Sequence, residues 1–245
     1  MIRRTVLIFA LVFCLSFVAV GVDGQLTSEV VAVYGSTPNP DGAIGVGEWD
    51  DAASVSFNNT EVFVKQDGEY LYVAFNVSDA TLNEEDSVSV LFDVNHDGGT
   101  TFGLDDIGLG ISADAEPIEI RLFYGLSVQP IGWWAGVAYD SEGWQAEFGI
   151  LYAKIAVTAG VEKSLGVGFI VTDSPAPEAP SYYHYTWPPN IFVGDLIQPP
   201  STWGEMTSTG YNWIPEFSSF CILPVFVVAT LLPVIVCRRK HSMYH

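Results

Sequence analysis

The chain has 245 residues and a formal net charge of −20. The stretch from Gln25 to Trp213 is more acidic still, because it holds 27 Asp and Glu residues against four Lys and Arg residues. Such a surface repels phosphates, which excludes nucleic-acid binding. The three cysteines, Cys14, Cys221 and Cys237, all lie in apolar terminal segments, which excludes a disulfide or a thiolate zinc site in the acidic stretch between them.

The first 24 residues have the pattern of a secretory signal peptide. Arg3 and Arg4 give a basic start, and the run from Thr5 to Val22 is almost wholly apolar. A basic start followed by an apolar core is typical of a segment that directs export and is then removed. The alternative is a membrane anchor that is retained. We therefore predict a signal peptide at 1–24 and an exported domain at 25–213.

Strand patterns dominate this domain. The clearest is a hairpin, in which Glu61–Lys65 and Tyr70–Val77 flank a short turn with Gly68. Asp86–Phe92 alternates apolar and polar residues, as a half-buried strand does. Many short strands with turns between them predict an all-β fold, an antiparallel β-sandwich; Asp173–Pro200 is expected to be a long ordered loop or edge. Further predicted strands are Val30–Tyr34, Ile118–Tyr124, Trp133–Tyr139, Trp144–Ile150, Leu165–Thr172 and Gly204–Trp213.

An acidic loop follows the predicted strand at 86–92. Carboxylate and amide oxygens at alternating positions, followed by glycine, can wrap a hard cation such as calcium. The spacing matches the first half of an EF-hand loop, but Leu104 stands where the bidentate Glu is required. We therefore predict a calcium site on a β scaffold, and a polar turn between strands is the alternative. The predicted ligands are Asp93, Asn95, Asp97, Asp105 and Asp106, with Asp86 as a further candidate.

A second cluster is aromatic. Tyr182–Trp187 contains three tyrosines and one tryptophan, and Trp203 follows. Exposed Trp and Tyr rings present flat apolar faces that suit the C–H faces of sugars, or protein partners. We predict ligand contacts at Tyr185, Trp187 and Trp203. Trp133, Trp134 and Trp144 are other tryptophans of the domain. We expect at least one member of each alternating pair among them to pack in the core.

Two N-glycosylation sequons occur, at Asn58 and Asn76. Asn58 lies in a predicted loop and is the better acceptor, whereas Asn76 lies at a predicted strand end. Both are predictions of sites that an exported domain would expose to glycosylation.

Catalytic motifs are missing from the exported domain. It contains two histidines, His96 and His184, and no Cys–His arrangement or hydrolase signature. We therefore predict that the protein is not an enzyme. Met206 and His184 are a conceivable pair of haem ligands, which leaves haem binding as a minor alternative.

The C-terminal segment predicts a membrane anchor. Residues 220–237 carry no charge, and Arg238, Arg239 and Lys240 follow directly. About 20 apolar residues span a bilayer, and basic residues stay on its cytoplasmic side. We predict a transmembrane helix at 214–237, a cytoplasmic tail at 238–245 and a single-pass protein at the cell surface.

Four motifs occur in order along residues 30 to 205. They are Asp41–Ile44 with Gly47–Ala52, the hairpin Val62–Asp79, the strand Asp86–Asp93 and the later segment Gly143–Glu147. Together they resemble family 9 carbohydrate-binding modules and the wider group of DOMON-like sandwich domains. The resemblance implies a β-sandwich and, in sugar-binding members, a sugar held between aromatic rings. It also implies structural calcium associated with Asp79, Asp93 and Asp97.

The sugar site departs from the family pattern. Sugar-binding members carry a Trp shortly before the strand that opens at Asp86, whereas Leu82–Glu85 contains no aromatic residue. The resemblance places the second ring at Trp187 or Trp203, of which we favour Trp187. One half of the clamp is therefore missing, and the fold carries over better than the sugar function.

Pro215-Glu216-Phe217 lies directly before the apolar C-terminal span. This tripeptide in this position resembles the PEF-type sorting signal of archaeal surface proteins. The resemblance implies processing by an archaeosortase and replacement of the tail by a lipid anchor. A plain membrane anchor is the alternative.

These patterns predict a non-catalytic, calcium-stabilised module that is anchored at the cell surface and binds an extracellular or envelope glycan. The alternative is a structural or adhesive cell-envelope protein of the same fold without sugar affinity. An extracellular hydrolase or a haem-binding DOMON protein is the third possibility.

Overall fold

The computed structural model describes residues 28–79, 81, 83–175, 182–194 and 196–208. The predicted signal peptide, transmembrane helix and tail lie outside these residues. Within them the structure has no α-helix, only 3₁₀ turns at Tyr152–Ile155 and Pro200–Thr202. None of the described helical segments has the length and apolar character needed to cross a membrane. The strands are β1 (Glu29–Tyr34), β2 (Ala53–Phe57), β3 (Thr60–Gln66), β4 (Tyr70–Ser78), β5 (Ser87–Asp93), β6 (Asp106–Ser112), β7 (Pro117–Arg121), β8 (Leu126–Val128), β9 (Trp133–Tyr139), β10 (Gly143–Leu151), β11 (Leu165–Asp173), β12 (Tyr183–Trp187), β13 (Phe192–Val193), β14 (Leu196–Ile197) and β15 (Gly204–Ser208).

The strands form one curled sheet whose two halves are joined by β1. The order along the sheet is β8-β7-β6-β5-β11-β15-β1-β3-β4-β10-β9, with β12 beside β11 and β2 beside β3. Glu29–Ala32 of β1 pairs with β15, and Val33–Tyr34 pairs with β3. We name the half from β8 to β15 sheet A and the half from β3 to β9 sheet B. The hairpin β13–β14 stands apart from both.

The predicted sandwich is not purely antiparallel, which corrects that part of the sequence interpretation. Both pairings of β1 are parallel, whereas the other described strand pairs are antiparallel. Parallel pairing requires a long connection between the two strands. The chain supplies one from residue 35 to residue 59 before β3, and nearly the whole domain separates β1 from β15.

The main core lies between the two sheets. Phe75 of β4 and Phe148 of β10 come from sheet B, and Phe169 of β11 comes from sheet A; all three are fully buried. The ring of Phe75 lies 5.8 Å from Phe148 and 5.9 Å, edge-on, from Phe169. Because these rings bury large apolar areas from both sheets, they hold the two halves together.

The predicted hairpin and the alternating strand are confirmed. β3 and β4 pair from Thr60 to Gln66 and turn through Asp67–Glu69. In β5, Val88, Val90 and Phe92 are buried in the main core. Trp133 and Trp144 are buried and Trp134 is exposed, as the predicted alternation requires.

Other strand predictions fail for identifiable reasons. β6 was not predicted because Gly108 and Gly110 lower its strand propensity. The predicted strand at 118–124 ends at Arg121, since the chain turns there through Leu122–Gly125. The segment at 173–200, predicted as a loop or edge, contains the edge strand β12, which pairs with β11 through five residues.

The outer face of sheet B is covered by the segment that leads from β1 to β2. Trp49 of this segment packs against Tyr72 and Ala74 of β4. The buried ammonium of Lys65 donates to the Glu48 carbonyl and to the Asp51 carboxylate, the latter at 2.9 Å. A buried cation with several acceptors fixes the segment in one position.

Candidate functional site

The predicted calcium loop forms a compact acidic group at one end of β5. Asp93 ends β5, and its cross-strand partner Asp106 opens β6. Oxygens of Asp93, Asp105 and Asp106 all lie within 4.8 Å of one another. We call these three residues the first acidic group.

Backbone N–H groups hold this first acidic group in place. Asp93 accepts hydrogen bonds from Asp97 and Gly98, at 3.3 and 2.9 Å. Asp105 accepts from the Asn95 N–H at 2.8 Å. The Asn95 and Asp97 side chains, also predicted as ligands, are exposed at the rim of the loop. The structure therefore brings together three of the predicted carboxylates and leaves two predicted ligands at the edge.

The electrostatics of this group favour a cation. The pKa of Asp106 is raised to about 6, first by burial and then by the charges of Asp93, Asp105 and Asp97, against a lowering hydrogen bond from the Gly103 N–H. Lys163 lies near enough for the same carboxylates to act on it, although burial lowers its pKa. The Lys163 ammonium is bound to the Ile155 and Ala156 carbonyls at 3.0 and 2.9 Å.

Asp79 and Asp86, also predicted to be associated with calcium, lie apart from the first acidic group. Oxygens of Asp79, Asp86 and Asp173 lie within 4.8 Å of one another, and we call these residues the second acidic group. Asp86 precedes β5 and Asp93 ends it. Seven residue steps along a strand span about 23 Å, so the two groups occupy opposite ends of β5.

Burial and mutual repulsion also raise pKa values in the second acidic group. Burial raises the pKa of Asp86, and the charges of Asp79 and Asp173 raise it further, against hydrogen bonds from Ser174 and Asn83. Burial and the charge of Asp79 likewise raise the pKa of Asp173. Within the described residues, the buried Oδ1 of Asp173 has no hydrogen-bond partner. Three close carboxylates of this kind can bind a hard cation.

The predicted ligand-binding aromatics do not form one clamp. Trp187 stacks on the core ring of Phe169 at 5.4 Å. Tyr185 packs against the same core, and its hydroxyl bonds the carboxylate of Asp173. Trp203 belongs to a separate apolar cluster, and its indole N–H donates to the Gln198 carbonyl at 2.9 Å. Trp187 and Trp203 therefore serve different packing clusters.

An open cleft offers a better arrangement for a polar ligand. Its volume is about 320 Å³, and it is lined by Asn83, Glu84, Ala113, Asp114 and Tyr139. The Tyr139 ring at the end of β9 is 53% exposed. Burial and the charge of Asp114 raise the pKa of the Tyr139 hydroxyl, which keeps it a hydrogen-bond donor. Sequence reasoning missed this cleft because its residues come from three separated turns and strand ends.

The cleft is joined to the second acidic group through Asn83. The Asn83 backbone N–H donates to Asp86 at 2.8 Å, and its side-chain amide donates to the Ser174 carbonyl. The backbone N–H of Ala113, also in the cleft, donates to the Asp86 carbonyl at 2.8 Å. A cation bound by the second acidic group would therefore influence the positions of Asn83 and Ala113 in the cleft.

The sequons occupy different settings. Asn58 is exposed at the tip of the β2–β3 turn and has a left-handed backbone conformation, with φ of 50°. Asn76 is half-buried within β4, beside Gln145. Only Asn58 is displayed at a turn, which suits an acceptor; glycosylation at both positions stays a prediction.

The conceivable haem ligand pair is excluded by distance. Met206 is fully buried and pairs with Leu165 at the start of β11. His184 pairs with Thr172 near the end of β11. Seven residues of strand, about 23 Å, separate these two positions, so both side chains cannot bind one iron.

Comparisons with known proteins support the fold. No protein-family model matches the chain, and no curated protein matches it in sequence. A family 9 carbohydrate-binding module from Caldicellulosiruptor kristjanssonii, solved with cellotriose, superposes with a TM-score of 0.58 and 18% identity, covering 74% of this chain and 94% of the module. The structure with glucose gives a TM-score of 0.58 and 19% identity over 74% and 96%.

A third solved structure is a protein from Bacteroides uniformis to which a carbohydrate-binding role has been attributed. It matches with a TM-score of 0.53 and 11% identity, covering 74% of this chain and 99% of that one. At these identities the likeness establishes the fold. The predicted all-β fold of the family 9 type is thereby confirmed.

Proposed function

We propose that the protein is a non-catalytic carbohydrate-binding module and that the cleft around Tyr139 is its sugar site. The observation that carries this proposal is an exposed aromatic ring beside two carboxylates and an amide in one open cleft. A flat ring can stack on the apolar face of a sugar. Glu84 and Asp114 can accept hydrogen bonds from sugar hydroxyls, and the Tyr139 hydroxyl can donate one.

The likeness to the Caldicellulosiruptor modules suggests the first ligands to try. Those modules were solved with cellotriose and glucose, so glucose and its β-linked oligomers are the starting set. Non-catalytic binding is consistent with the chemistry of the acidic residues. Glu147, the carboxyl whose pKa is raised to about 7, is fully buried under the segment at 41–49 and cannot meet a polymer.

A glycan array followed by calorimetric titration tests the proposal. We expect the full-length chain to bind a glucan and Tyr139→Ala to lose at least about tenfold in affinity. Tyr183→Ala is the matched control, because Tyr183 is 54% exposed and lies outside the cleft. Loss of binding in Trp187→Ala or Trp203→Ala, with Tyr139→Ala unaffected, would instead favour the aromatic residues predicted from sequence.

We propose that calcium binds both acidic groups. Support comes from close carboxylates with raised pKa values in each group, since a divalent cation relieves their mutual repulsion. A ligand that binds only the folded state raises its stability by about 2.7 kcal/mol at 100-fold excess over the dissociation constant. The melting temperature should fall with chelator and recover with calcium. An unchanged melting temperature would leave both groups as unoccupied acidic turns.

Calcium should also support the sugar cleft through Asn83 and Ala113. We expect sugar affinity to fall when calcium is removed, because the Asn83 N–H donates to the Asp86 carboxylate and the Ala113 N–H donates to the Asp86 backbone carbonyl. Asp86→Asn keeps the shape of the side chain and removes a charge, so it should reproduce the effect of chelator on sugar binding. If neither calcium removal nor Asp86→Asn changes sugar affinity, the cation does not support the cleft.

We further propose display at the cell surface through the segment at 214–237, with removal of residues 1–24 and processing at the PEF tripeptide. The support is the sequence pattern alone. Membrane fractionation and intact-mass measurement of the mature protein test it. A mass that retains residues 1–24, or a fully soluble protein, would contradict the export and anchoring steps.

The adhesive alternative has one specific observation in its favour. The turn between β7 and β8 exposes Phe123 and Tyr124 by 53% and 60%, and Leu126 at the start of β8 is 58% exposed. Exposed apolar patches often mark protein contacts. If no glycan on the array binds, loss of cell–cell adhesion in the Phe123→Ser variant would favour this second function.

A further inference from the structure

The outer face of sheet A carries an apolar groove that the sugar proposal does not use. Its volume is about 170 Å³. One wall is formed by Ser89 and Leu91 of β5, and the other by Ile118 and Ile120 of β7. β6 runs between these walls and forms the floor.

Glycines create the depth of the groove. Gly108 and Gly110 of β6 lie opposite Ile120 and Ile118 in the sheet. A Cβ at Gly108 would lie 3.2 Å from Leu91 Cδ2, and a Cβ at Gly110 would lie 2.6 Å from Ser89 Oγ. Any side chain at these positions would therefore fill the space between the walls. The same glycines that weaken the strand pattern of β6 open the groove.

One end of the groove is closed by the hairpin β13–β14. Phe192 and Ile197 pair across this hairpin and line the groove. The hairpin is held from outside by His184, whose ring stacks on Phe192 at 3.9 Å. It is held from beneath by Ile191, which is fully buried with Leu91. The closure is therefore a packed part of the fold.

The lining is uncharged although the chain carries a net charge of −20. Its polar side chains are Ser87 and Ser89. Within the described part of the chain, neither serine hydroxyl has a hydrogen bond to protein. The groove thus combines apolar walls with two unused hydroxyls on one side. Apolar cavities of about 150 Å³ accept molecules of the size of benzene.

We propose that this groove is a binding site for a small, uncharged apolar ring that carries a hydroxyl group. The ring lies on the glycine floor between the two walls, and its hydroxyl bonds Ser87 or Ser89. An anionic ring is excluded, because the groove has no cation and the acidic chain repels it. A sugar with hydroxyls around its whole rim is also excluded, since the walls would leave most of them without partners.

Methyl NMR of the full-length chain with phenol tests the site directly. Phenol should shift the methyl signals of Ile118 and Ile120 and leave that of Ile155, which is buried in the main core. Ser89→Leu fills the groove and should weaken phenol binding at least about tenfold. Ser56→Leu makes the same change at an exposed position of β2 and should bind as the unchanged protein does.

A second variant and a second ligand make the test independent of folding defects. Ile118→Ala trims a side chain that is 38% exposed, and should improve binding of 2-naphthol relative to phenol. Benzoate, with the same ring and a negative charge, should not shift the Ile118 or Ile120 methyl signals. The proposal is overturned if phenol at millimolar concentration leaves these signals unchanged, if benzoate binds as well, or if glucose displaces phenol.

Discussion

The indole N–H of Trp49 donates a 2.7 Å hydrogen bond to Oε1 of Glu147, which lies 98 residues further along the chain. The other carboxylate oxygen, Oε2, accepts a 2.9 Å bond from the backbone N–H of Gly42. One buried carboxylate thus ties the segment that covers sheet B to β10. The two motifs around Gly47–Ala52 and Gly143–Glu147, on which the family resemblance depends, meet at this bond.

Glu147 makes stability depend on pH. Its pKa is raised from 4.5 to about 7, first by burial and then by the charges of Glu48 and Asp41, although hydrogen bonds from Trp49 and Gly42 oppose the rise. Between pH 4.5 and about 7 the folded state therefore binds the proton more tightly than the unfolded state. The contribution of Glu147 is fully present below pH 4.5 and falls by about 1.4 kcal/mol for each pH unit up to 7.

Urea unfolding from pH 4.5 to 8 measures this dependence. Glu147→Gln should lower the slope of unfolding free energy against pH by about one proton in that range. Glu162→Gln is the control, because Glu162 is exposed and its replacement should leave the slope unchanged. Equal slopes in the protein and in Glu147→Gln would show that Glu147 ionises alike in both states.

Trp49→Phe tests the indole bond separately from ring packing. Phenylalanine keeps an aromatic ring against Phe63, now 6.2 Å from Trp49, but leaves Glu147 with one fewer donor. A buried group that loses its partner costs about 1–3 kcal/mol. The loss should be larger at pH 8 than at pH 5, since only the charged carboxylate needs the donor strongly. A loss that is the same at both pH values would assign the effect to packing.

Much of the fold was predictable where the pattern has a period of two. β5 was predicted from Val88, Val90 and Phe92, because alternate residues of a strand face one side. β6 could not be predicted, since Gly108 and Gly110 occupy the outward positions that polar residues usually mark. Their role depends on Leu91 and Ser89, which lie on a neighbouring strand.

The candidate site was predictable only in part, for a similar reason. Asp93, Asp105 and Asp106 are close in sequence, and the pairing of β5 with β6 brings them together. Asp79 and Asp173 meet at the opposite end of β5 through strands distant in sequence, which no local spacing reveals.

Phe75→Ala should be among the most destabilising single changes in the domain. Phe75 is fully buried and contacts rings from both sheets, so truncation leaves a cavity at the junction of the halves. Replacing a buried Phe with Ala costs about 3–5 kcal/mol. Phe123→Ala at the exposed β7–β8 turn should change stability by less than about 0.5 kcal/mol. Similar urea midpoints for the two variants would contradict the role of Phe75 in joining the sheets.

Proton competition provides the sharpest test of calcium at the first acidic group. Calcium needs ionised carboxylates, and the pKa of Asp106 is about 6. Calcium affinity should therefore be nearly constant above pH 7 and fall by up to about tenfold per pH unit below 6 for the one proton displaced. Without calcium, the stability of the folded state should instead rise as the pH falls through about 6. Protonation of Asp106 relieves its repulsion from Asp93 and Asp105 and so stabilises the folded state.

Asp106→Asn separates these two effects. The amide removes one of three close charges, so the calcium-free protein should gain stability at pH 7 while calcium affinity falls by at least about tenfold. Asp50→Asn makes the same change at an exposed position and should alter neither quantity. Calorimetric titration with calcium at pH 5 and pH 7, together with melting in chelator, measures both. If Asp106→Asn destabilises the chelated protein and leaves calcium affinity unchanged, Asp106 serves as an acceptor for the Gly103 N–H and not as a metal ligand.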